Sequence, residues 1–223
     1  MSKSPVAPKA NTVRSRDPVR TRAEILTVAV QEFAEHGFYG ARVERITKAA
    51  KCNARMIYHY FGGKEQLYLA ALDSVYAAIR NRETQLRFGT ADPATEARRL
   101  VEFTFDYFAE NENFLKLIRN ENLLNGRYIK RSQMIRDMSQ PFIAAIGELI
   151  ERGHKTKVFS CSPDPVQLYV TVVALSAHHL NNAATLGTVV GQDLNDPAWQ
   201  EERRRHAVEV TLAYLGVCDG LEI

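Results

Sequence analysis

The dipeptide Asp-Pro recurs at 17–18, 92–93, 164–165 and 196–197, each time just ahead of a long stretch of helical periodicity. Aspartate can accept a hydrogen bond from the unpaired amides of a first helical turn. Proline pre-sets the backbone at a position whose N–H would have no partner anyway. Four of the eight prolines therefore read as helix starts. Between these marks the apolar residues repeat with a helical period. Ile25, Leu26, Ala29 and Phe33 form a stripe that stops at Gly37, and Val43, Ile46 and Ala50 form the next. Leu67, Ala71 and Val75 follow, then Leu100, Phe103, Thr104 and Phe108. Phe142, Ile146 and Leu149 run up to Gly153, and Val208, Leu212 and Leu215 run up to Gly216. The segment "YVTVVAL" is β-branched, but it lies inside a long apolar run opened by Asp164-Pro165, where length favours helix. The expectation is an all-α protein of nine or ten helices. Pro141 falls inside a periodic stretch and should kink or break it.

Charge divides the chain unevenly. Residues 1–64 hold twelve Lys/Arg and five Asp/Glu, giving 12 − 5 = +7, and the remainder holds 17 − 21 = −4. A basic head on an acidic body suggests that the head alone meets a polyanion. Residues 1–16 are small, polar and basic and read as a flexible arm. The N-terminus has no apolar core of the signal-peptide kind, and no run of eighteen apolar residues exists, so a cytoplasmic protein without membrane association is expected. The three cysteines, Cys52, Cys161 and Cys218, are far apart and read as reduced thiols. No catalytic constellation, phosphate loop or metal-ligand spacing stands out, so neither an enzyme nor a cofactor is expected.

The basic head has its own rhythm: a helix from about Pro18 to His36, a short one at Val43–Ala50, the turn "KCN", and another short one at Ala54–Tyr60. Two short helices joined by a three-residue turn match a helix-turn-helix, whose second helix enters the major groove of DNA. Asn53 suits the cap of that second helix. Ile57, Tyr60 and Phe61 are spaced to face the preceding helix, while Arg55, Tyr58 and His59 point outward, with Ala54 and Met56 near the tip. Tyrosine hydroxyls and Lys64 can bond phosphate oxygens, and Arg55 can reach the O6 and N7 of guanine.

Residues 25–72, "ILTVAVQEFAEHGFYGARVERITKAAKCNARMIYHYFGGKEQLYLAAL", resemble the TetR family of transcriptional regulators, with "HGF", "VERITKAA", "IYHYF" and "KEQLY" at that family's order and spacing. The resemblance implies a homodimer that binds a double-stranded, palindromic operator, usually represses, and is released by a small-molecule effector. It implies DNA contacts at Arg42, Val43, Ala54, Arg55 and Met56, and backbone contacts at Tyr58, Tyr60 and Lys64. Arg45, Asn53 and His59 complete the candidate surface. Arg42 stands where the family usually has Thr or Ser, so a helix cap of roughly 1 kcal/mol is missing. Arg55 stands where many relatives have a small residue, which makes it the leading candidate for base readout.

Residues 17–64 are thus expected to form the DNA-binding domain, and 65–223 a helical ligand-binding and dimerisation domain. By the same resemblance, helices at about 165–185 and 197–215 would pair with their copies. "PVQLYVTVVALSAHHL" is apolar almost all round, more than one neighbouring helix can cover. An effector pocket is expected among Phe103, Tyr107, Phe114, Leu123, Tyr128, Met138, His178 and Asn182. The adjacent His178 and His179 face about 100° apart on a helix, so one ring should be packed or face the pocket and the other should be exposed. A second reading, from a different class, is a small-molecule or thiol-redox sensor in which Cys52 or Cys161 switches DNA binding.

Overall fold

The computed structural model describes residues 17–217, so the basic arm and Cys218 lie outside the described residues. Among these residues there are ten α-helices and no strand. They are α1 (Pro18–Gly40), α2 (Val43–Ala49), α3 (Ala54–Phe61), α4 (Lys64–Glu83), α5 (Pro93–Glu110), α6 (Glu112–Leu123), α7 (Gln133–Lys155), α8 (Pro165–Asn181), α9 (Ala183–Val190) and α10 (Pro197–Leu215), with short 3-10 turns at Thr84–Leu86 and Ile129–Arg131.

All four Asp-Pro pairs cap helices. The carboxylates of Asp17, Asp92, Asp164 and Asp196 accept from backbone N–H groups of the first turns of α1, α5, α8 and α10, with the proline just inside. The α1 stripe breaks where expected: Gly37 sits at φ 62°, ψ −179° and kinks the last turn away from the helix axis. Pro141 corrects the expectation, because α7 does not break there and runs on to Lys155. The ring lies on the exposed side, while Ile135, Phe142, Ile146 and Leu149 bury the opposite face. Solvent can satisfy the carbonyl that loses its donor, and the packed face holds the helix together.

α1 packs on α4 and α6, while α5 packs on α7, α8 and α10. One core joins Ile25, Phe33, Ile46 and Ile57 of the head to Leu67, Tyr68, Leu117 and Tyr128 beyond it. A second core holds Leu100, Phe105, Ile146, Leu149, Val172 and Val208, and a third, smaller one holds Ile79, Tyr107, Phe108 and Phe114. The head thus shares its core with the body. Phe38 of α1 meets Tyr128 at 4.6 Å and Tyr68 at 5.3 Å between ring centres.

Gly153 on α7 faces the buried Phe159 ring so closely that any Cβ would overlap it. Gly153→Ala should therefore destabilise by about 1–3 kcal/mol through overpacking. A denaturant titration checks this, and a midpoint equal to that of the wild type would contradict it.

Candidate nucleic-acid interface and effector cavities

Helix α3 is built to present one face. Asn53 caps it by accepting from the Met56 N–H at 3.2 Å. Ile57 and Phe61 are buried, Met56 and Tyr60 are half-buried, and Ala54, Arg55, Tyr58 and His59 are exposed. Two consecutive glycines, Gly62 at φ 82° and Gly63 at φ 147°, then turn the chain into α4 through backbone conformations that side-chain-bearing residues rarely adopt.

Helix α2 is anchored by a device the sequence did not disclose. Arg42 offers no side-chain cap, in keeping with its departure from Ser or Thr. Instead its own backbone N–H donates to Glu32 Oε1 of α1 at 2.9 Å. Arg45 Nε donates to the same oxygen at 2.7 Å, and its Nη2 donates to the Gly40 carbonyl at 2.7 Å. In a capping box a glutamate three residues into the helix takes the cap N–H. Here Arg45 holds that place and recruits a glutamate from the neighbouring helix. Burial works to raise the Glu32 carboxyl, but the Arg45 and Arg42 donors outweigh it and hold the group below its usual range.

Two of the candidate DNA-contact residues are therefore already engaged within the protein. Arg45 is tied to Glu32, and Lys64 is half-buried with its ammonium 4.9 Å from the centre of the Phe38 ring. Arg42 is exposed and Val43 half-buried at the start of α2. The outward surface is thus formed by Arg42, Ala54, Arg55, Tyr58 and His59, with Lys48 and Lys51 exposed beside them.

The eight pocket candidates do not converge on one cavity. Leu123 is 78% exposed at the end of α6. Tyr128 is buried in the junction core against Phe38 and Tyr68, because Glu121 pins its turn: the carboxylate accepts from the Tyr128 N–H at 2.5 Å and the Ile129 N–H at 2.9 Å. Asn182 ends α8, its amide donating to the His178 carbonyl at 2.8 Å. His178 is exposed, while His179 is buried, stacked on Phe105 and hydrogen-bonded to Gln200 at 3.0 Å. The histidine pair thus divides as its spacing required, with the packed ring at 179. Phe103 packs against the second and third cores.

Tyr107 and Phe114 line a cavity of about 630 Å³ bounded by Leu26 and Val30 of α1 and Val75 and Ala78 of α4. Met138 lines another, of about 440 Å³, beside Arg80, Glu83 and Phe142. A third, of about 420 Å³, lies on the other side of Arg80, between α4, the 129–131 turn, α7 and Tyr169 of α8. Arg80 went unnoticed in the sequence because an Arg and a Glu three residues apart on a helix ordinarily make a solvated surface pair. Burial pushes the Glu83 carboxyl up to about 8, with the Arg80 guanidinium 2.9 Å away opposing the shift.

The thiols of Cys52 and Cys161 are half-buried in the α2–α3 turn and exposed ahead of α8, respectively. Among the described residues no cluster of three or more His, Cys, Asp or Glu side chains could hold a metal ion, and no helix is long and apolar enough to cross a membrane.

A helix-turn-helix head with a solvent-facing tip, sharing its core with a helical body that carries open cavities, defines a DNA-binding transcriptional regulator. The chain belongs to the tetR family of bacterial regulatory proteins. Residues 25–71 match that family's N-terminal model, and residues 93–211 match the tetracyclin repressor-like C-terminal domain. The chain is 35% identical over 184 residues to the HTH-type transcriptional repressor NicS of Pseudomonas putida, covering 82% of this chain and 87% of that protein. The fold is shared with the putative transcriptional regulator SCO4942 of Streptomyces coelicolor, at a TM-score of 0.67 and 23% identity over 88% of this chain and 99% of that one. It is also shared with a bacterial regulatory protein of the tetR family from Rhodococcus RHA1, at a TM-score of 0.71 and 17% identity over 90% and 99%.

Proposed function

We propose that this regulator is a homodimeric repressor that binds a palindromic operator through α3 and the start of α2, and that a small molecule held in the body releases it. The observation that carries the DNA-binding assignment is the division of α3: buried Ile57 and Phe61 hold it to the head, while Ala54, Arg55, Tyr58 and His59 stand in solvent. In this reading Arg55 reads a base edge, whereas Arg42 and Tyr58 contact phosphates. Asn53 and Met56 shape the tip, and Arg45 and Lys64 act as positioning residues.

Dimerisation through α8 and α10 is supported by a strip of exposed side chains at four-residue spacing on α8, Val166, Val170, Ala174 and His178, and by exposed Tyr214 on α10. Two recognition helices must then lie about 34–36 Å apart to read successive turns of one DNA face. An effector can release DNA only by binding one arrangement of the heads better than the other. The junction of Phe38, Tyr68 and Tyr128 is the physical path by which a change in the body would reach the head.

Sequencing of host genomic DNA captured by the purified protein at moderate salt is the direct test. One or a few enriched sites sharing a palindrome are expected; uniform, salt-labile recovery of all fragments would remove the recognition-helix assignment. On the operator so defined, Arg55→Ala should relax discrimination at one base position by roughly 1–3 kcal/mol. Arg42→Ala should instead weaken all sequences alike and reduce the salt slope by about one.

A further inference from the structure

We propose that the chamber between α4, the 129–131 turn, α7 and α8 binds a small organic monocarboxylate, with the carboxylate on Arg80 and the apolar body against Ile143 and the rings of Tyr76 and Tyr169. This rests on the ligand-responsive reading above and names its ligand class.

Arg80 is only 8% exposed. Removing a guanidinium from water is costly unless its donors are well paired, and here the pairing is incomplete. Nη1 lies 2.9 Å from Glu83 Oε2, Nη2 reaches the Tyr169 hydroxyl at 3.5 Å, and the group stands 4.9 Å from the Phe142 ring centre. Nε and Nη1 are buried without an aligned protein acceptor, and Nη2 has only the long contact to Tyr169, which itself lines the chamber.

The chamber beside them has the composition an anion requires. Its volume of about 420 Å³ falls within the range of small-molecule sites. Arg80, Lys130 and Arg136 line it, and no carboxylate does. Lys130 Nζ already donates to the Asn125 carbonyl at 2.8 Å. Arg136 already donates to Gln133 Oε1 at 2.7 Å and the Lys130 carbonyl at 2.8 Å. Among these lining cations Arg80 is therefore the buried one with donors to spare. One cation with a planar fork suits one carboxylate, whereas a phosphate dianion would call for a second.

The cavity on the other side of Arg80 is less suitable. There Arg87 is balanced by Glu83 and Glu148, so an anion gains less. Burial pushes the Tyr76 hydroxyl up to about 12, so it remains a donor at neutral pH. The chamber also reaches the head: Ile129 and Lys130 on its wall follow directly on Tyr128, whose ring meets Phe38.

The test is isothermal titration of the full-length protein with benzoate and 2-naphthoate as probes, and with benzamide and 2-naphthamide as neutral counterparts. At least one acid should bind, with its amide weaker by about tenfold or more. Arg80→Met combined with Glu83→Gln removes both buried partners and leaves no orphan charge. This double variant should fold, as thermal unfolding will check, and lose the acid by a similar factor. Arg82→Met, at an exposed position on the same helix, should leave acid binding unchanged. Equal binding of acid and amide, wild-type affinity in the double variant, or no acid binding at roughly 10 mM would each overturn the assignment. No DNA enters the measurement, so its failure would leave the operator-binding reading standing, and loss of that reading would leave this result standing.

Discussion

Glu96→Ala should lower the unfolding free energy by about 3–5 kcal/mol, the cost of breaking a buried charge pair from one side. The Glu96 side chain is fully buried on α5. Its carboxylate accepts from the backbone N–H groups of Gly89 and Thr90 at 2.9 Å and of Ala91 at 2.8 Å, and it pairs with Arg152 of α7. One side chain therefore closes the loop between α4 and α5 and ties it to α7. Removing it leaves three amides and a guanidinium without their acceptor. At fixed protein concentration the melting temperature should fall by on the order of 10 °C.

The same group predicts acid sensitivity. Burial works to raise the Glu96 carboxyl, but the three amides and Arg152 outweigh it and hold the group below its usual value of 4.5. A depressed carboxylate contributes stability above its unfolded pKa and loses it as pH falls through the folded one. The contribution should be intact at neutral pH and decline progressively as pH falls below about 4.5. Glu96→Gln keeps an acceptor but not the charge. It should cost less than Glu96→Ala at pH 7 and show a weaker acid dependence than the wild type. Denaturant titrations at pH 7 and pH 4 measure both, and a wild-type pH profile in Glu96→Gln would refute this account.

Tyr128→Ala should cost a comparable amount, about 3–5 kcal/mol for emptying a large aromatic site, and should also weaken operator binding. Tyr128 is 1% exposed and meets Phe38 at 4.6 Å and Tyr68 at 5.1 Å. Phe38 follows the Gly37 kink at the end of α1, so this contact helps to set how the head sits against the body. Without it the head loses a fixed orientation, and in the proposed dimer the two heads would no longer hold one spacing. Tyr128→Phe keeps the ring contacts and should stay close to wild type in both measurements. If Tyr128→Ala melted with the wild type, or bound operator as tightly, the junction would not carry the coupling assigned to it.

What was legible in the sequence was local. The Asp-Pro caps are made within three residues of themselves, so their spacing alone placed four helix starts. The inward and outward faces of α3 follow from the helical period across eight residues, and Asn53 caps the helix it directly precedes. Side chains whose partners lie far along the chain were misjudged or missed. The ammonium of Lys64 also meets the ring of Phe38, which belongs to another helix, a contact its place in the sequence did not reveal. Leu123 looked like a pocket wall but is exposed, and Tyr128 looked like one but belongs to the head–body junction.

Three glutamates drawn into the fold make the same point more sharply. Glu32, Glu96 and Glu121 sit on ordinary amphipathic helices, where a carboxylate normally faces water. Each instead accepts from backbone N–H donors of an adjoining loop or helix start, and two of them also take an arginine. Arg80 and Glu83 are equally plain as an i, i+3 pair until α7 and α8 close over them. By itself the sequence determined the all-helical class, four helix starts and the outward face of α3, because hydrogen bonds and periodicity within a few residues set these. Which charges are buried, where the cavities lie and how the head is held on the body were decided only by the tertiary structure. Those outcomes depend on desolvation and packing between segments tens of residues apart, and no local period encodes them.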